Sequence, residues 1–316
     1  MRIKSTVEKG VTEKVTGRVT KNVRRELESH KLLEQLLPEQ KLTFVVDVDE
    51  TMVQTHYNSR EESSKQKDLE SSSLPDYLTY QMQHSYPTSL LAGQSIEKLH
   101  NLGQGVGFVS KASFPTLIRL KMLGLDFNKI DFAGFGNFNE CLNARDIEYA
   151  KECLSIEGKE VDSLEKLFRV LEEKHDIQIV TEDFSQEKWR TVRKLREGTN
   201  EQVKELLNRP IIAIGNQGDD CAIEYPNGGL GIKLESSFRA KAGFTNSLGR
   251  AFCYAATTLS NNPVGRQIID QIQSNHPVRE DTDRTSVAMH SIHTLNNAEA
   301  KSTWKEIQAK GSLLKQ

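Results

Sequence analysis

The chain has 316 residues, 36% of them hydrophobic and 27% charged, with a formal net charge of -2. That length suits one large domain carrying insertions, and the near-neutral balance excludes a general basic nucleic-acid binder. No stretch is apolar for long enough to cross a bilayer. The four cysteines, Cys141, Cys153, Cys221 and Cys253, lack Cys-x-x-Cys spacing and read as reduced cytosolic thiols, not as a zinc site or disulfide framework.

In chain order, residues 1–40 form a basic leader without the apolar core of a secretory signal. Val7, Val11, Val15 and Val19 recur every fourth residue, a thin apolar stripe on a helix. A stripe of valine alone fits a solvated or loosely docked helix; peripheral contact with an anionic membrane is the alternative. Leu32 to Leu37 closes a helix, Pro38 punctuates it, and Thr43 to Val46 is a short buried strand. This strand stops at two carboxylates with one residue between them, Asp47 and Asp49, followed by Thr51. Ligands of open α/β sheets bind beyond such strand ends, and a buried carboxylate needs a partner, a metal or water. The bland reading of the pair is a loop start with helix-capping side chains.

Gln54 to Ser73 is dense in Ser, Glu and Lys, the composition of an exposed, mobile insertion. Asp76 to His84, with Tyr77, Tyr80 and Met82, reads as a short helix packed over the strand end; with its neighbours it makes a lid-like insertion at about 54–88. Ile96, Leu99 and Leu102 lie at helical spacing before Gly103, and Val106 to Val109 is a second strand ending at Ser110. A helix over Pro115 to Leu123 leads to a third strand at Ile130 to Ala133 and a turn at Gly134 to Gly136. Residues 137–187 read as a second, mostly helical insertion holding a brief strand at Ile177 to Val180. Lys188 to Leu207 is helical with a break near Gly198, Ile211 to Gly215 is a fourth strand, and Leu230 to Leu234 a fifth. Residues 236–316 form a helical extension, with Phe244, Leu248 and Phe252 at helical spacing, and a polar tail that is extended until a last helix near Ala298 to Ala309. Alternating strands and helices at this spacing predict an α/β, doubly wound parallel sheet with helical insertions and flanking helices.

Three of these strands end in polar groups that a parallel sheet places on one edge: Asp47 and Asp49, then Ser110, then Asn216 with Asp219 and Asp220. Phe44-Val-Val-Asp-Val-Asp-Glu-Thr51 resembles the first motif of the haloacid dehalogenase superfamily of phosphatases in its Asp-x-Asp-x-Thr form. Phe108-Val-Ser110 is similar to the second motif and Ile211 to Asp220 to the fourth, so the likeness covers roughly residues 42–234.

The resemblance implies a phosphomonoester hydrolase with Asp47 as nucleophile, forming an aspartyl-phosphate, and Asp49 as general acid and base. It implies Mg²⁺ to offset the repulsion between these anions and a phosphate, held by the Asp47 carboxylate, the Asp49 carbonyl and a group from Asn216, Asp219 or Asp220. Thr51, Ser110 and a lysine complete the phosphate site. Lys188 is the preferred lysine, with Lys159, Lys166 and Lys194 as competitors. The family usually carries Asp where this chain has Asn216, which weakens the metal site and leaves a catalytically weak binding or scaffold protein as the alternative; a phosphotransferase or mutase is a third reading. Glu182 and Asp183 form a rival acidic pair, His56 and His84 read as solvent-exposed, and Tyr77, Tyr80 and Tyr86 as filler of the lid. A short polar lid suits a bulky substrate such as a phosphoprotein. The polar extensions also resemble, in style, the haloacid dehalogenase-type phosphotyrosine phosphatase effectors that intracellular bacteria deliver into host cells without a signal peptide.

Overall fold

The computed structural model describes residues 23–24, 26–55, 59–70, 73–87, 91–122, 124–136, 142–157, 160–182, 188–216, 220, 223–236, 248–260, 279–281 and 289–294. Helix α1 (residues 26–36) precedes β1 (Thr43–Val46). Strands β2 (Val53–Thr55) and β3 (Ser85–Pro87) pair as a ribbon, and between them the chain forms α2 (Arg60–Glu70) and α3 (Leu74–His84). There follow α4 (Ala92–Asn101), β4 (Gly105–Ser113), α5 (Pro115–Met122) and β5 (Phe132–Gly136). Next come α6 (Ala144–Cys153), α7 (Leu164–His175), β6 (Gln178–Glu182), α8 (Lys188–Glu197) and α9 (Glu201–Leu207). The chain then runs through β7 (Ile211–Gly215), β8 (Gly229–Ser236), α10 (Leu248–Ser260), β9 (Arg279–Asp281) and β10 (Met289–Thr294).

One sheet has the order β6-β5-β4-β1-β7-β8-β10-β9, parallel throughout except for β9. Alternate residues of its strands face opposite layers. Phe44, Val46, Ile212 and Ile214 enter a core with α1, α4, α5, α6, α7 and α10, where Phe44 meets the ring of Phe252 edge-on at 5.1 Å. Val45, Ile211 and Ala213 enter a second core with Val192 and Leu195 of α8 and Val203 and Leu207 of α9. Helices therefore cover both faces, and the fold is α/β and doubly wound. The short apolar runs read as buried strands because neither face meets water.

Several elements differ from the sequence expectation. Gly134 to Gly136 is not a turn but the second half of β5. A Cβ on Gly134 would stand 2.2 Å from Cγ2 of Thr191 in α8, so the glycine serves close helix–strand approach. The second strand does not stop at Ser110; β4 runs on to Ser113, and its pairing with β5 shifts register after Val109. The polar stretch after β2 contains helix α2, held against α3 where the Tyr80 hydroxyl donates to the Glu62 carbonyl at 3.2 Å. Within 137–187, β6 is an edge strand of the main sheet, parallel to β5, and the extended tail supplies β9 and β10. The valine-striped leader, Phe244 and the stretch Ala298 to Ala309 lie outside the described residues. Among the described residues no helix is long and apolar enough to cross a membrane, and Cys153 and Cys253 are free thiols.

Candidate active site at the switch point of the sheet

From β1 the chain moves to β4 on one side, while β7 pairs on the other. The crevice beyond the carboxyl end of β1 is thus the topological switch point of the sheet. Here the backbone folds back on itself: the amides of Met52 and Val53 both donate to the Val48 carbonyl, at 2.8 and 2.9 Å. Glu50 takes a left-handed conformation, with φ of 60°, inside this turn. A glutamate there is strained, a feature that clusters at functional sites. Asp47, Asp49, Glu50, Ser110, Lys111, Ala112, Lys188, Asn216 and Asp220 line a pocket of about 180 Å³ at this point.

Asp47 is the deepest group. Its carboxylate accepts from the Lys188 ammonium on Oδ1 and from the Thr51 hydroxyl on Oδ2, the latter at 3.0 Å. Lys188, in the first turn of α8, also contacts Oδ1 of Asp220 at 2.5 Å, so one ammonium is shared by two carboxylates. All three side chains are 5–6% exposed. Burial, reinforced by Asp220 and opposed by Lys188, pushes the Asp47 carboxyl up to about 7. Burial works against the Lys188 ammonium, but Asp47 and Asp220 outweigh it and raise its pKa. Gly215 makes the cluster sterically feasible, since a Cβ there would lie 2.1 Å from that of Asp220.

Asp49 sits higher, its side chain 40% exposed. Ser110 Oγ donates to its Oδ2 at 3.3 Å, and Arg119 donates to its Oδ1 at 2.6 Å. Arg119 itself is buried on α5, where it also donates to Thr116 at 3.1 Å. Asn216, just beyond β7, donates its amide to Glu50 at 2.6 Å.

The structure therefore brings together Asp47, Asp49, Thr51, Ser110, Lys188, Asn216 and Asp220. Thr51 touches Asp47 and is absent from the pocket lining; Asp219 lies outside the described residues. Of the competing lysines, Lys166 pairs with Asp162 on the surface and Lys194 with Glu182 at the end of β6, while Lys159 lies outside the described residues. Glu182 is thereby separated from the pocket, and Asp183 and His56 are not described. His84 and Tyr80 stack on each other within the α2–α3 hairpin, with ring centroids 4.4 Å apart. Arg119 and Glu50 went unnoticed in the sequence. The available signal was an arginine inside the largely apolar run Pro115 to Leu120, which the structure shows to be buried throughout, where a charge must find a partner.

A divalent cation fits the donor chemistry of the pocket. Its lining carries four carboxylates (Asp47, Asp49, Glu50, Asp220) against two ammonium groups (Lys111, Lys188), and adds the amide of Asn216. These are hard oxygen donors beside an excess of negative charge, which Mg²⁺ accepts with few protein ligands and several waters. Among the described residues no three His, Cys, Asp or Glu side chains are grouped so as to hold a metal ion by themselves. No known protein family, curated protein or solved structure matches the chain.

Proposed function

We propose that this protein is a magnesium-dependent phosphomonoester hydrolase of the haloacid dehalogenase type, working through an aspartyl-phosphate on Asp47. One observation carries the reading: the Asp47 carboxylate is held between Lys188 and Thr51 at the floor of the switch-point pocket, with a second carboxylate, Asp49, two residues on. Such a carboxylate is oriented and partly desolvated, as a nucleophile should be. Asp49 is placed to protonate the leaving oxygen and then to take a proton from the attacking water. Ser110 turns its hydroxyl to a phosphoryl oxygen, and Lys188 holds the charge that develops on the phosphoryl group. Asp47, the Asp49 carbonyl and Asn216 would hold Mg²⁺, which when bound supplies neutralising charge and favours the ionised form of Asp47. Asp220, engaged by Lys188, acts by fixing that lysine.

The pocket is small and lined by polar and charged groups, which suits a phosphoryl group at the surface of a bulky substrate such as a phosphoprotein, peptide tyrosine phosphate included. A phosphopeptide panel turned over faster than small phosphometabolites supports that choice; the reverse order removes it. The basic test is phosphate release from p-nitrophenyl phosphate with Mg²⁺. Wild-type turnover that disappears with EDTA and with Asp47→Asn supports the hydrolase. Wild type that releases no phosphate across Mg²⁺, Mn²⁺ and Co²⁺ points instead to the catalytically weak binding protein, a reading favoured by the neutral Asn216 and its engagement with Glu50.

A further inference from the structure

Asp49 has two donors of different kinds. Ser110 reaches Oδ2 across 3.3 Å from the strand that borders the pocket, while Arg119 grips Oδ1 at 2.6 Å from within α5. The arginine side chain is only 3% exposed and the aspartate 40% exposed, so the guanidinium approaches from the core and the carboxylate faces the pocket. Thr116, one turn earlier on the same buried helix face, holds the same guanidinium nitrogen. Burying an arginine is costly, and its ion pair with Asp49 is with a residue of the site.

We propose that Arg119 is the positioning residue for Asp49, an assignment that rests on the hydrolase reading above. Arg119 fixes Oδ1, and the side-chain plane with it, so that Oδ2 is presented to the leaving oxygen of the substrate. With Ser110 donating to Oδ2, a proton taken up on that oxygen shares it with the serine hydrogen bond. When a phosphoryl group draws the Ser110 hydroxyl away, Oδ2 is released while Oδ1 stays anchored, so phosphate arrival and readiness of the acid are coupled. The proton on Oδ2 then passes to the leaving oxygen as the bond from phosphorus to that oxygen breaks and the Asp47–phosphorus bond forms. The carboxylate left behind accepts a proton from water in the second step. Arg119 neither touches substrate nor transfers a proton.

A misplacement of about 1 Å at a reacting group can lower a rate on the order of 100-fold. Arg119→Lys keeps the charge but shortens the reach and loses the fixed fork of donors. It is expected to lower kcat on an alkyl phosphate such as phosphoserine, whose leaving oxygen needs a proton, by about that factor with KM within roughly twofold of wild type. In an Asp49→Asn background the same substitution is expected to add no further loss, because Arg119 acts only through Asp49. Circular dichroism and melting of each variant confirm that folded protein is compared. Arg119→Ala gives a second route: added guanidinium ion is expected to restore part of the rate, and methylammonium not. Active wild type with full-rate Arg119→Lys overturns the assignment, as does an undiminished loss in the Asp49→Asn background. Wild type without metal-dependent turnover overturns the hydrolase reading and the assignment with it, so the two failures are told apart by the wild-type control.

Discussion

Two buried carboxylates, Asp47 and Glu26, are handled in opposite ways. Glu26 is 2% exposed, in α1, and its Oε1 accepts from Ser95 Oγ of α4 at 2.5 Å and from the Gly249 amide of α10 at 2.8 Å. His30 Nε2 lies 2.7 Å from the same serine oxygen. The donors are a hydroxyl and a main-chain amide in the first turn of a helix, where negative charge is favourable. This cluster pins three helices together. Asp47 is as deeply buried, yet its charged donor is divided with Asp220 and its surroundings open on a pocket. Through Oε1 Glu26 ties helices together, although its Oε2 is buried without a partner; Asp47 is held in an arrangement that a stabilising role does not require.

The largest expected effect separates them by activity. Asp47→Asn should reduce metal-dependent phosphate release by on the order of 10⁴-fold or more, as removal of a nucleophile does. It should leave thermal stability undiminished, because Lys188 then pairs with Asp220 alone. A lower melting temperature with activity retained would reverse the roles assigned to the two clusters. Glu26→Ala should do the opposite, costing about 2 kcal/mol in urea unfolding by removing hydrogen bonds to a charged group, with turnover of the folded protein kept.

The smallest effect is a pH dependence confined to the Glu26 cluster. Burial holds His30 below its ordinary range; Glu26 and Glu34 oppose that shift and Lys98 assists it. The unfolded chain therefore takes up a proton that the folded one excludes. Stability from this group is full above about pH 6.5 and is lost as pH falls toward the lower folded value. Unfolding free energies between about pH 7 and 5 should fall less steeply in His30→Gln than in wild type. An identical slope would remove His30 from the account.

Much of the first cluster was legible in the sequence and almost none of the second. The apolar run Thr43 to Val46 ends abruptly in carboxylates, and a β1 buried on both faces makes that ending conspicuous. Lys188 stood out only as the first residue of an amphipathic helix; its pairing with Asp47, 141 positions away, is a tertiary fact. Glu26 and Ser95 are ordinary polar residues in helical stretches, and nothing local distinguishes them from a solvated face. Arg119 is an intermediate case, since the buried stretch Pro115 to Leu120 around it demands a partner without naming it. The glycines of β5 misled because glycine most often marks a turn, whereas here Gly134 admits Thr191.

The central claim is that Asp47 carries the phosphoryl group. Incubation with p-nitrophenyl phosphate and Mg²⁺, rapid quenching, reduction with borohydride and peptide mass spectrometry would test it directly. An acyl phosphate on Asp47 is reduced to the homoserine side chain, and the account predicts that product at position 47 alone, in wild type and not in Asp47→Asn. Active enzyme whose reduced residue is Asp49, or that shows no reduced residue at any aspartate under single-turnover conditions, would contradict it.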